Sequence, residues 1–388
     1  MHKTLRLALN RYTPTPLSLR KDPKVDAPAS EVNVDLASLY HHYFLDSFDI
    51  SPPNPDPAQF EHAQFLLPTK DFRFQGSGLG TAPAIRRHRS NELGQAFCRW
   101  FLYENLNITY FAHIEHLIAR QLHRPFSGAS LDRIANGDTP DYLCATANNS
   151  VCLAEAKGRY AAVSFKSKEF AKWREQFSRV EFKDSSGLAR SLKGHIVATR
   201  FATERDTDRI RSTVFAEDPA SPGERDVDPE MARGLARIAR DTHFAGIARK
   251  LRQPVLASAL LNGVPMPDEL RVSAIAWRVL TGPLQGERFV GGYYSAEGTG
   301  ISARQVEGRI LYERSDPLRL DQPAYTFFGL HERTMRDVVA SARSNLAQPA
   351  SIEPFRATEF FYSGFSVQRD GTAIAPLEFL VPDEQIVL

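Results

Sequence analysis

The sequence predicts an α/β fold with a mixed central sheet flanked by helices, followed by a smaller C-terminal α+β module. Three observations support this class. Two apolar runs, 141–147 and 151–156, surround an Asn-Asn-Ser triplet that favours a tight turn, which indicates a β-hairpin. Residues 167–182 carry large apolar side chains at helical spacing, and 194–201 have the pattern of a buried strand. A helix between two strands is typical of a crossover between parallel strands.

The length and composition of the chain indicate a globular protein with more than one part. Its 388 residues are enough for two domains, and 42% hydrophobic and 24% charged residues are ordinary values. We expect a proline-rich extended N-terminal arm (1–83), a core (84–253) that holds the central sheet, and an α+β accessory module (254–388). Large apolar residues within 60–74 suggest that the arm packs on the core or on a partner subunit.

Charge, cysteines and hydropathy exclude several classes of protein. The formal net charge is only +2, so attraction to nucleic acid must come from local patches, such as 155–211 with 14 Lys or Arg against 8 Asp or Glu. Three cysteines without a CxxC pair argue against a disulfide framework and a structural zinc site. No apolar run reaches the ~18 residues of a membrane span, and no secretory leader is evident, so we expect a cytoplasmic protein without membrane contact.

The region before the hairpin predicts a long helix. Its apolar residues recur at helical spacing from Leu93 to Phe101, Ser90 is a candidate N-cap, and the break falls near 105–107. After this break, residues 108–115 are predicted to form a new element, either a strand or a helix. Upstream, the glycine-rich segment 75–81 is either a flexible connector or a loop that could cradle phosphate, although it has no Walker-type lysine.

The region after the core alternates between loop, helix and strand patterns. Residues 215–230 are acidic and proline-containing and indicate a loop, while 231–251 form a basic amphipathic helix pattern. Beyond 254, short strand patterns and one helix pattern at 331–347 indicate the α+β module. It contains no catalytic constellation, so we expect it to recognise substrate or a partner, or to mediate a homodimer.

The hairpin carries the side chains that could take part in a reaction. Alternate residues of a strand share a face, so Glu155 and Lys157 point the same way, and the hairpin can bring Asp141 beside them. Mg²⁺ prefers oxygen ligands, commonly one or two carboxylates with waters and substrate phosphates. Two carboxylates and an ammonium at one sheet edge therefore suit metal-assisted phosphate chemistry.

Pro-Asp at 140–141, thirteen intervening residues and Glu-Ala-Lys at 155–157 resemble the motif of the PD-(D/E)xK nuclease superfamily, which has the restriction-endonuclease-like fold. The resemblance covers the central part of the chain. It implies that Asp141 and Glu155 bind Mg²⁺, for which Mn²⁺ can substitute, with the backbone carbonyl of Ala156 as a further ligand. Lys157 would align the attacking water.

The resemblance also assigns roles to two residues outside the hairpin. By position, Glu92 on the preceding helix matches an auxiliary metal ligand and catalytic residue. Gln176, on the following helix, matches a residue that orients the site.

The resemblance implies a metal-dependent nuclease that hydrolyses phosphodiester bonds, with DNA favoured over RNA and an endodeoxyribonuclease the first expectation. A role in bacterial anti-phage defence or restriction follows only by analogy of fold. Three alternatives stay open: a catalytically inactive nuclease-fold protein that binds nucleic acid or serves as an assembly subunit, a nucleotide-responsive protein that uses the glycine loop, and an exposed hairpin with an ordinary Glu/Lys pair.

Overall fold

The computed structural model divides into two compact units, and each is described by itself. The first comprises Met1–Asp46 and Glu61–His243, and the second comprises Ser47–Phe60 and Phe244–Leu388. No helix among the described residues is long and apolar enough to cross a membrane. The residues that the structure describes are 1–52, 55–121, 130–183, 187–220, 229–294, 304–311, 326–344, 352–355 and 365–388.

The first unit contains the central sheet and the helices around it. Its described strands are β1 (His2–Asn10), β2 (Arg20–Asp22), β3 (Val25–Pro28), β4 (Glu31–Asp35), β5 (Arg73–Phe74), β6 (Ile108–His113), β7 (Ser130–Arg133), β8 (Tyr142–Thr146), β9 (Val151–Arg159), β10 (Val180–Lys183), β11 (Ala189–Arg190), β12 (Gly194–Arg200), β13 (Ala202–Thr203) and β14 (Thr213–Glu217). The described helices are α1 (Leu36–Ser47), α2 (Glu61–Gln64), α3 (Pro83–Leu106), α4 (Ile114–Arg120), α5 (Lys168–Gln176) and α6 (Pro229–Lys250), of which α1 and α6 run across the unit boundaries.

The central sheet is mixed, which confirms the predicted α/β class. Within the described chain its seven strands lie in the order β4-β1-β14-β12-β9-β8-β6. The pairs β1/β14 and β9/β12 are parallel, and the other pairs are antiparallel. The parallel pair β9/β12 is joined through α5, as the crossover pattern in the sequence predicts.

The predicted hairpin is present as β8 and β9. Tyr142 lies opposite Ala154 and Cys144 opposite Cys152, and Asn149 in the connecting turn has a φ of 62°. An asparagine tolerates this left-handed conformation, which a tight turn requires. Cys144 and Cys152 are buried and free, so they pack as thiols across the pair.

Helix α3 begins earlier than the sequence predicts. Pro83 occupies its first turn, where the fixed φ of proline suits a helix and no amide hydrogen is needed, and the helix ends at Asn107 with a φ of 55°. Ser90 is therefore not an N-cap; its hydroxyl donates to the carbonyl of Arg87 at 3.0 Å inside the helix. The break near 105–107 is confirmed, and the following segment forms β6.

Two glycines bring α3 into direct backbone contact with β9. A Cβ built on Gly158 would overlap the carbonyl oxygen of Ser90, and one built on Gly94 would overlap the amide nitrogen of Gly158. Glycine permits such close approach because it has no side chain. The contact fixes the helix against the strand one residue beyond Lys157.

The predicted N-terminal arm is corrected by the structure. Strand β1 lies inside the central sheet, parallel to β14 and antiparallel to β4, and Leu5 is fully buried. The proline density at 14–57 suggested an extended arm, but the first ten residues precede those prolines and alternate as a strand does. Strand β14 is a second difference, because it spans Thr213–Glu217 and so overlaps the start of the segment 215–230, which the sequence predicts as a loop.

The segment after the hairpin also differs from prediction in its boundaries. Helix α5 is capped by Ser167, whose hydroxyl accepts a hydrogen bond from the Phe170 amide at 3.2 Å. A short 3₁₀ turn, Phe177–Arg179, and β10 replace the predicted end of the helix at 182. Strand β9 extends beyond the predicted 151–156 and ends at Arg159.

The second unit is an antiparallel sheet with helices, as the α+β prediction states, but it begins at Phe244 rather than 254 and includes Ser47–Phe60. Its described sheet has the order β20-β21-β19-β16-β15-β22, around a core that includes Trp277. Of the predicted helix 331–347, residues 345–347 lie outside the described residues. The described elements are β15 (Ser273–Val279), β16 (Arg288–Tyr294), β17 (Arg304–Val306), β18 (Arg309–Leu311), β19 (Thr326–His331), β20 (Ser366–Val367), β21 (Thr372–Pro376), β22 (Leu380–Val387), α7 (Pro254–Asn262) and α8 (Glu332–Arg343).

The glycine contact generates a stability prediction. We expect Gly158→Ala to lower the free energy of unfolding by about 1–3 kcal/mol, because α3 must move away from β9 to admit the methyl group. The control is Gly246→Ala in α6, where a Cβ meets nothing within 4 Å and alanine should stabilise the helix by about 0.5–1 kcal/mol. Urea unfolding of both variants measures the difference; equal effects would contradict the close-packing account.

Candidate functional site

Asp141, Glu155 and Lys157 lie together at the β8–β9 hairpin. The amide of Ala156 donates a hydrogen bond to Asp141 Oδ2 at 2.7 Å. Lys157 Nζ lies 3.9 Å from the same oxygen and forms a close ion pair with Glu155 Oε1. Both carboxylates therefore contact one ammonium group, which is the convergence that the sequence predicts.

The hairpin register explains this convergence. With Tyr142 opposite Ala154, Asp141 reaches the level of Glu155 just before β8 begins. The carbonyl of Asp141 accepts a hydrogen bond from the amide of Ile114 at 3.0 Å, so its backbone is also held at the junction of β6 and α4. Cross-strand neighbours project to one face, which brings the two acids onto the same side of the sheet.

Glu155 is a buried carboxylate whose charge is poorly compensated. Its side chain is 0% exposed, and, apart from the ion pair with Lys157, neither of its oxygens accepts a hydrogen bond from the described residues. Burial, and then the nearby charge of Asp141, raise the pKa of Glu155 well above its usual range, and Lys157 only partly opposes them. A carboxylate in this condition has unused capacity to bind a cation.

Lys157 is held as a cation. Burial alone would lower the pKa of its ammonium, but the charges of Glu155 and Asp141 outweigh burial, and Asp138 contributes further, so the pKa is raised. Lys157 therefore stays protonated at neutral pH. It can donate hydrogen bonds and neutralise negative charge, but it has no free lone pair to act as a base.

Gln176 shares a cavity with Lys157. It is the last residue of α5, it is 3% exposed, and its Oε1 has no hydrogen-bond partner among the described residues. The cavity has a volume of about 680 Å³. An amide oxygen that is buried without a partner is costly, and such a group in a cavity can accept a hydrogen bond from a water or a ligand.

The cavity is strongly cationic. Six basic side chains line it against two acidic ones, Asp138 and Glu169. Two of the six come from the start of α3, and four come from the 155–211 region whose positive excess is visible in the sequence. The basic residues are Arg86, Arg87, Lys157, Arg159, Lys172 and Arg179. This surface suits an anionic ligand with several phosphates.

Glu92 is not brought to the site by any described contact. Its carboxylate lies 3.3 Å from Arg89 Nη1 and 3.8 Å from His88 Nε2, both on α3. Ser90 and Gly94 are the α3 residues that approach β9. At about 100° per residue, Glu92 lies about 200° around the helix from each of them, on the far side.

The glycine-rich loop uses its amides within the chain. The amide of Gly76 donates to the carboxylate of Glu204 at 2.8 Å, and the amide of Leu79 donates to the Tyr160 hydroxyl at 3.2 Å. A carboxylate therefore sits where a phosphate would have to bind. The structure gives the nucleotide-binding alternative no support.

Sequence reasoning missed a buried polar network behind the site. Asp46 accepts hydrogen bonds from the Tyr142 hydroxyl at 2.9 Å and from Arg99 at 3.0 Å, and lies 3.2 Å from His113 Nε2. Burial would raise the pKa of Asp46, but these partners outweigh it and hold the pKa well below the usual range. Because Tyr142 follows Asp141, the network stiffens the start of β8. No local pattern links residues so far apart in sequence.

The groups at this site that could hold a divalent cation are two carboxylates and a carbonyl. Within the described residues, no group of three or more His, Cys, Asp or Glu side chains is arranged to hold a metal ion. Mg²⁺, however, commonly uses only one or two protein carboxylates and completes its shell with waters and phosphates. Glu155, whose Oε2 has no partner among the described residues, and the neighbouring Asp141 supply two such carboxylates, and the carbonyl of Ala156 is the further ligand that the motif resemblance implies.

No family model, no curated protein and no solved structure matches this chain.

The burial of Glu155 generates a pH-dependent prediction. A carboxyl group whose pKa is higher in the folded chain binds more protons when folded, so the free energy of unfolding falls as pH rises above the unfolded pKa of about 4.3. Glu155→Gln removes the charge and keeps the shape. In metal-free buffer we expect this variant to be about 1 kcal/mol more stable than wild type at pH 7.5, and equally stable at pH 4.

Urea unfolding from pH 4 to 8 measures this difference. Lys157, whose pKa is also raised, contributes stability that is fully present below about pH 10.4, so it stays constant across the window. The control is Glu115→Gln, at an exposed position of α4. A Glu155→Gln variant that is less stable than wild type at pH 7.5 would show that the ion pair with Lys157 outweighs burial.

Proposed function

We propose that this chain is a divalent-metal-dependent nuclease with a restriction-endonuclease-like core, which hydrolyses phosphodiester bonds of DNA. One observation carries the proposal: Glu155 is a buried carboxylate whose Oε2 has no hydrogen-bond partner among the described residues, and it is grouped with Asp141 and Lys157 beside a cationic cavity. In a structural ion pair, each buried carboxylate oxygen would have a hydrogen-bond partner. A carboxylate that binds a metal has an oxygen without such a partner when the metal is not bound.

The order of elements supports the core that the motif resemblance implies. Helix α3 precedes the hairpin, α5 follows it, and β12 then lies parallel to β9. The motif residues are at the point where the hairpin opens and the crossover begins. This arrangement agrees with the expectation from the resemblance, in which a helix precedes the hairpin and a crossover helix leads to the next sheet strand.

Asp141, Glu155 and the carbonyl of Ala156 would hold the cation. The bound cation would lower the pKa of a water that it coordinates and would neutralise negative charge on the phosphate. Lys157 donates its ammonium hydrogens towards the phosphate oxygens and offsets the negative charge that develops in displacement. Gln176 offers its unpartnered Oε1 as an acceptor that can orient an attacking water.

The cationic cavity is the reason for proposing a nucleic acid rather than a small phosphate ester. Its six basic residues extend from α3 to Arg179, well beyond what one phosphate needs. Arg159 is neutralised by Glu169 through two hydrogen bonds of 2.5 and 3.0 Å, while Arg87 and Lys172 form no ion pair among the described residues. These two cations are available for a phosphate backbone.

A second candidate function is a catalytically inactive nuclease-fold protein that binds nucleic acid or acts as an assembly subunit. The observation that favours it is the position of Glu92, whose described contacts are with α3 side chains rather than with the two motif acids. Under this alternative the chain binds DNA through the same cavity, and the Glu155–Lys157 pair is structural. Binding without cleavage distinguishes the alternative from the proposed nuclease.

Cleavage assays test the proposed activity. We expect wild type to cut DNA in the presence of Mg²⁺ or Mn²⁺, and Asp141→Asn and Lys157→Ala to lose about 10²–10⁴-fold in rate. Asp141→Asn removes a carboxylate that would hold the cation, and Lys157→Ala removes the ammonium that offsets negative charge on the reacting phosphate. Circular, linear duplex and single-stranded DNA are tested together with RNA, because the geometry does not select among them.

The matched control for this assay is Glu115→Gln, an exposed acid of the same unit that should keep wild-type rates. Circular dichroism and the melting temperature verify that each variant is folded. Retained cleavage by Asp141→Asn and Lys157→Ala would reject the assigned site. Wild-type binding of DNA without cleavage by either metal would favour the inactive alternative.

Metal binding is tested independently of activity. At a Mg²⁺ concentration ten times Kd, a ligand that binds only the folded chain stabilises it by about 1.4 kcal/mol. For a unit of this size we expect the melting temperature to rise by about 3–5 °C. The shift should vanish in Asp141→Asn and persist in Glu92→Gln. If Glu92→Gln also abolished the rise in melting temperature, Glu92 would be a ligand of the metal site.

A further inference from the structure

The first unit contains a second cationic cavity. It has a volume of about 640 Å³ and is lined by four arginines against one acid, Glu31. The arginines come from β1, from the end of β12, and from the segment that leads into β14. They are Arg6, Arg200, Arg209 and Arg211. None of the motif residues lines this cavity, and the proposed hydrolysis does not use it.

The sheet register connects the two cavities. Arg159, which lines the first cavity, lies directly opposite Arg200 on β12, and Arg200 lies opposite Thr213 on β14. Thr213 in turn lies opposite Arg6 on β1. Residues directly opposite each other project to the same face of a sheet, so these four form one row across the sheet on the face of Lys157.

The row has a length that matches a run of nucleotides. Arg159 and Arg6 are separated by three strand spacings, which amount to about 14 Å. Successive phosphates of one strand in a duplex rise by about 3.4 Å along the axis, so this distance corresponds to about four nucleotide steps for a strand whose axis runs along the row. A strand whose phosphate is at Lys157 can therefore place later phosphates in the second cavity.

Two of the four arginines are available to a ligand. Arg211 is held by Glu31 and by Asp71, the latter at 2.6 Å, and Arg200 lies 3.6 Å from Asp206. Arg6 and Arg209 are exposed, and within the described chain neither forms an ion pair. The paired arginines shape the cavity, while Arg6 and Arg209 supply charge that the protein itself does not neutralise.

We propose that this row, from Arg159 through Arg200 to Arg6, is a binding track for a polynucleotide strand, and that the second cavity holds its phosphates about four nucleotides from the reacting one. The inference rests on the proposed function and specifies its substrate class. The substrate is a polynucleotide of at least about five nucleotides. Dinucleotides and mononucleotides fill the first cavity only.

Binding measurements with the full chain test the track without requiring cleavage. Fluorescence anisotropy in EDTA compares fluorescein-labelled single strands of three and twenty nucleotides, binding to wild type and to the double variant Arg6→Ala/Arg209→Ala. We expect the double variant to bind the 20-mer about tenfold more weakly. The slope of log K against log salt should fall in magnitude by about 1.4, which is two phosphate contacts at about 0.7 each. Affinity for the 3-mer should not change.

The control is Arg11→Ala, an exposed arginine just beyond the opposite end of β1 that lines neither cavity. It should bind both oligonucleotides as wild type does. Equal binding of the 20-mer by wild type and double variant would overturn the track. So would an equal loss for both lengths, or no measurable binding of the 20-mer by wild type.

The binding test of the track and the cleavage test of the nuclease can fail independently of each other. If DNA is not cleaved but the length-dependent loss is observed, the nuclease proposal fails and the track stands. If Asp141→Asn and Lys157→Ala abolish cleavage while Arg6→Ala/Arg209→Ala binds the 20-mer normally, the nuclease stands and the track is wrong. Inorganic phosphate as a competitor provides a further arm: displacement of the 3-mer but not the 20-mer at equal phosphate supports several linked phosphate contacts.

Discussion

The burial of the Glu155 carboxylate next to Asp141 is the constraint on which the site depends. Two acids on one side of a hairpin repel each other, and burial removes the water that would otherwise weaken the repulsion. Lys157 relieves only part of this cost, since the pKa of Glu155 remains well above its usual range. A fold keeps such an arrangement when the rest of the structure enforces it, and strained electrostatics of this kind concentrate at functional sites.

Two features of the fold enforce the arrangement. The close approach of Gly94 and Gly158 lets α3 pack directly on β9 immediately after Lys157, which sets the position of the strand relative to the helix. On the other side of the hairpin, the hydrogen bond from Tyr142 to Asp46 anchors the residue after Asp141. Both acids are therefore attached to fixed backbone, and Glu155 in particular stays buried.

The parts of this picture that the sequence predicted are those encoded locally. The turn triplet and the alternation around it specify the hairpin, and with it the meeting of Asp141, Glu155 and Lys157. The parts that it did not predict depend on long-range pairing. Whether β1 joins the sheet is decided by β14, over 200 residues later, and the direction of Glu92 is decided by the glycine contact that sets the rotation of α3.

The chain is nearly neutral as a whole, but its basic residues are concentrated at the two cavities. The chain has a formal net charge of only +2, yet six basic residues line the first cavity and four line the second, with three acids between the two sets. Positive charge therefore exceeds negative charge at both cavities, although acids beside them pair with some of the arginines, such as Glu169 with Arg159 and Asp71 with Arg211. Charge arranged in this way attracts a polyanion over a distance of about one Debye length, roughly 10 Å at 0.1 M salt, and not from further away. On the proposed track, affinity would depend on how many phosphates contact the row of arginines at once, which is a property of a strand and not of a single nucleotide.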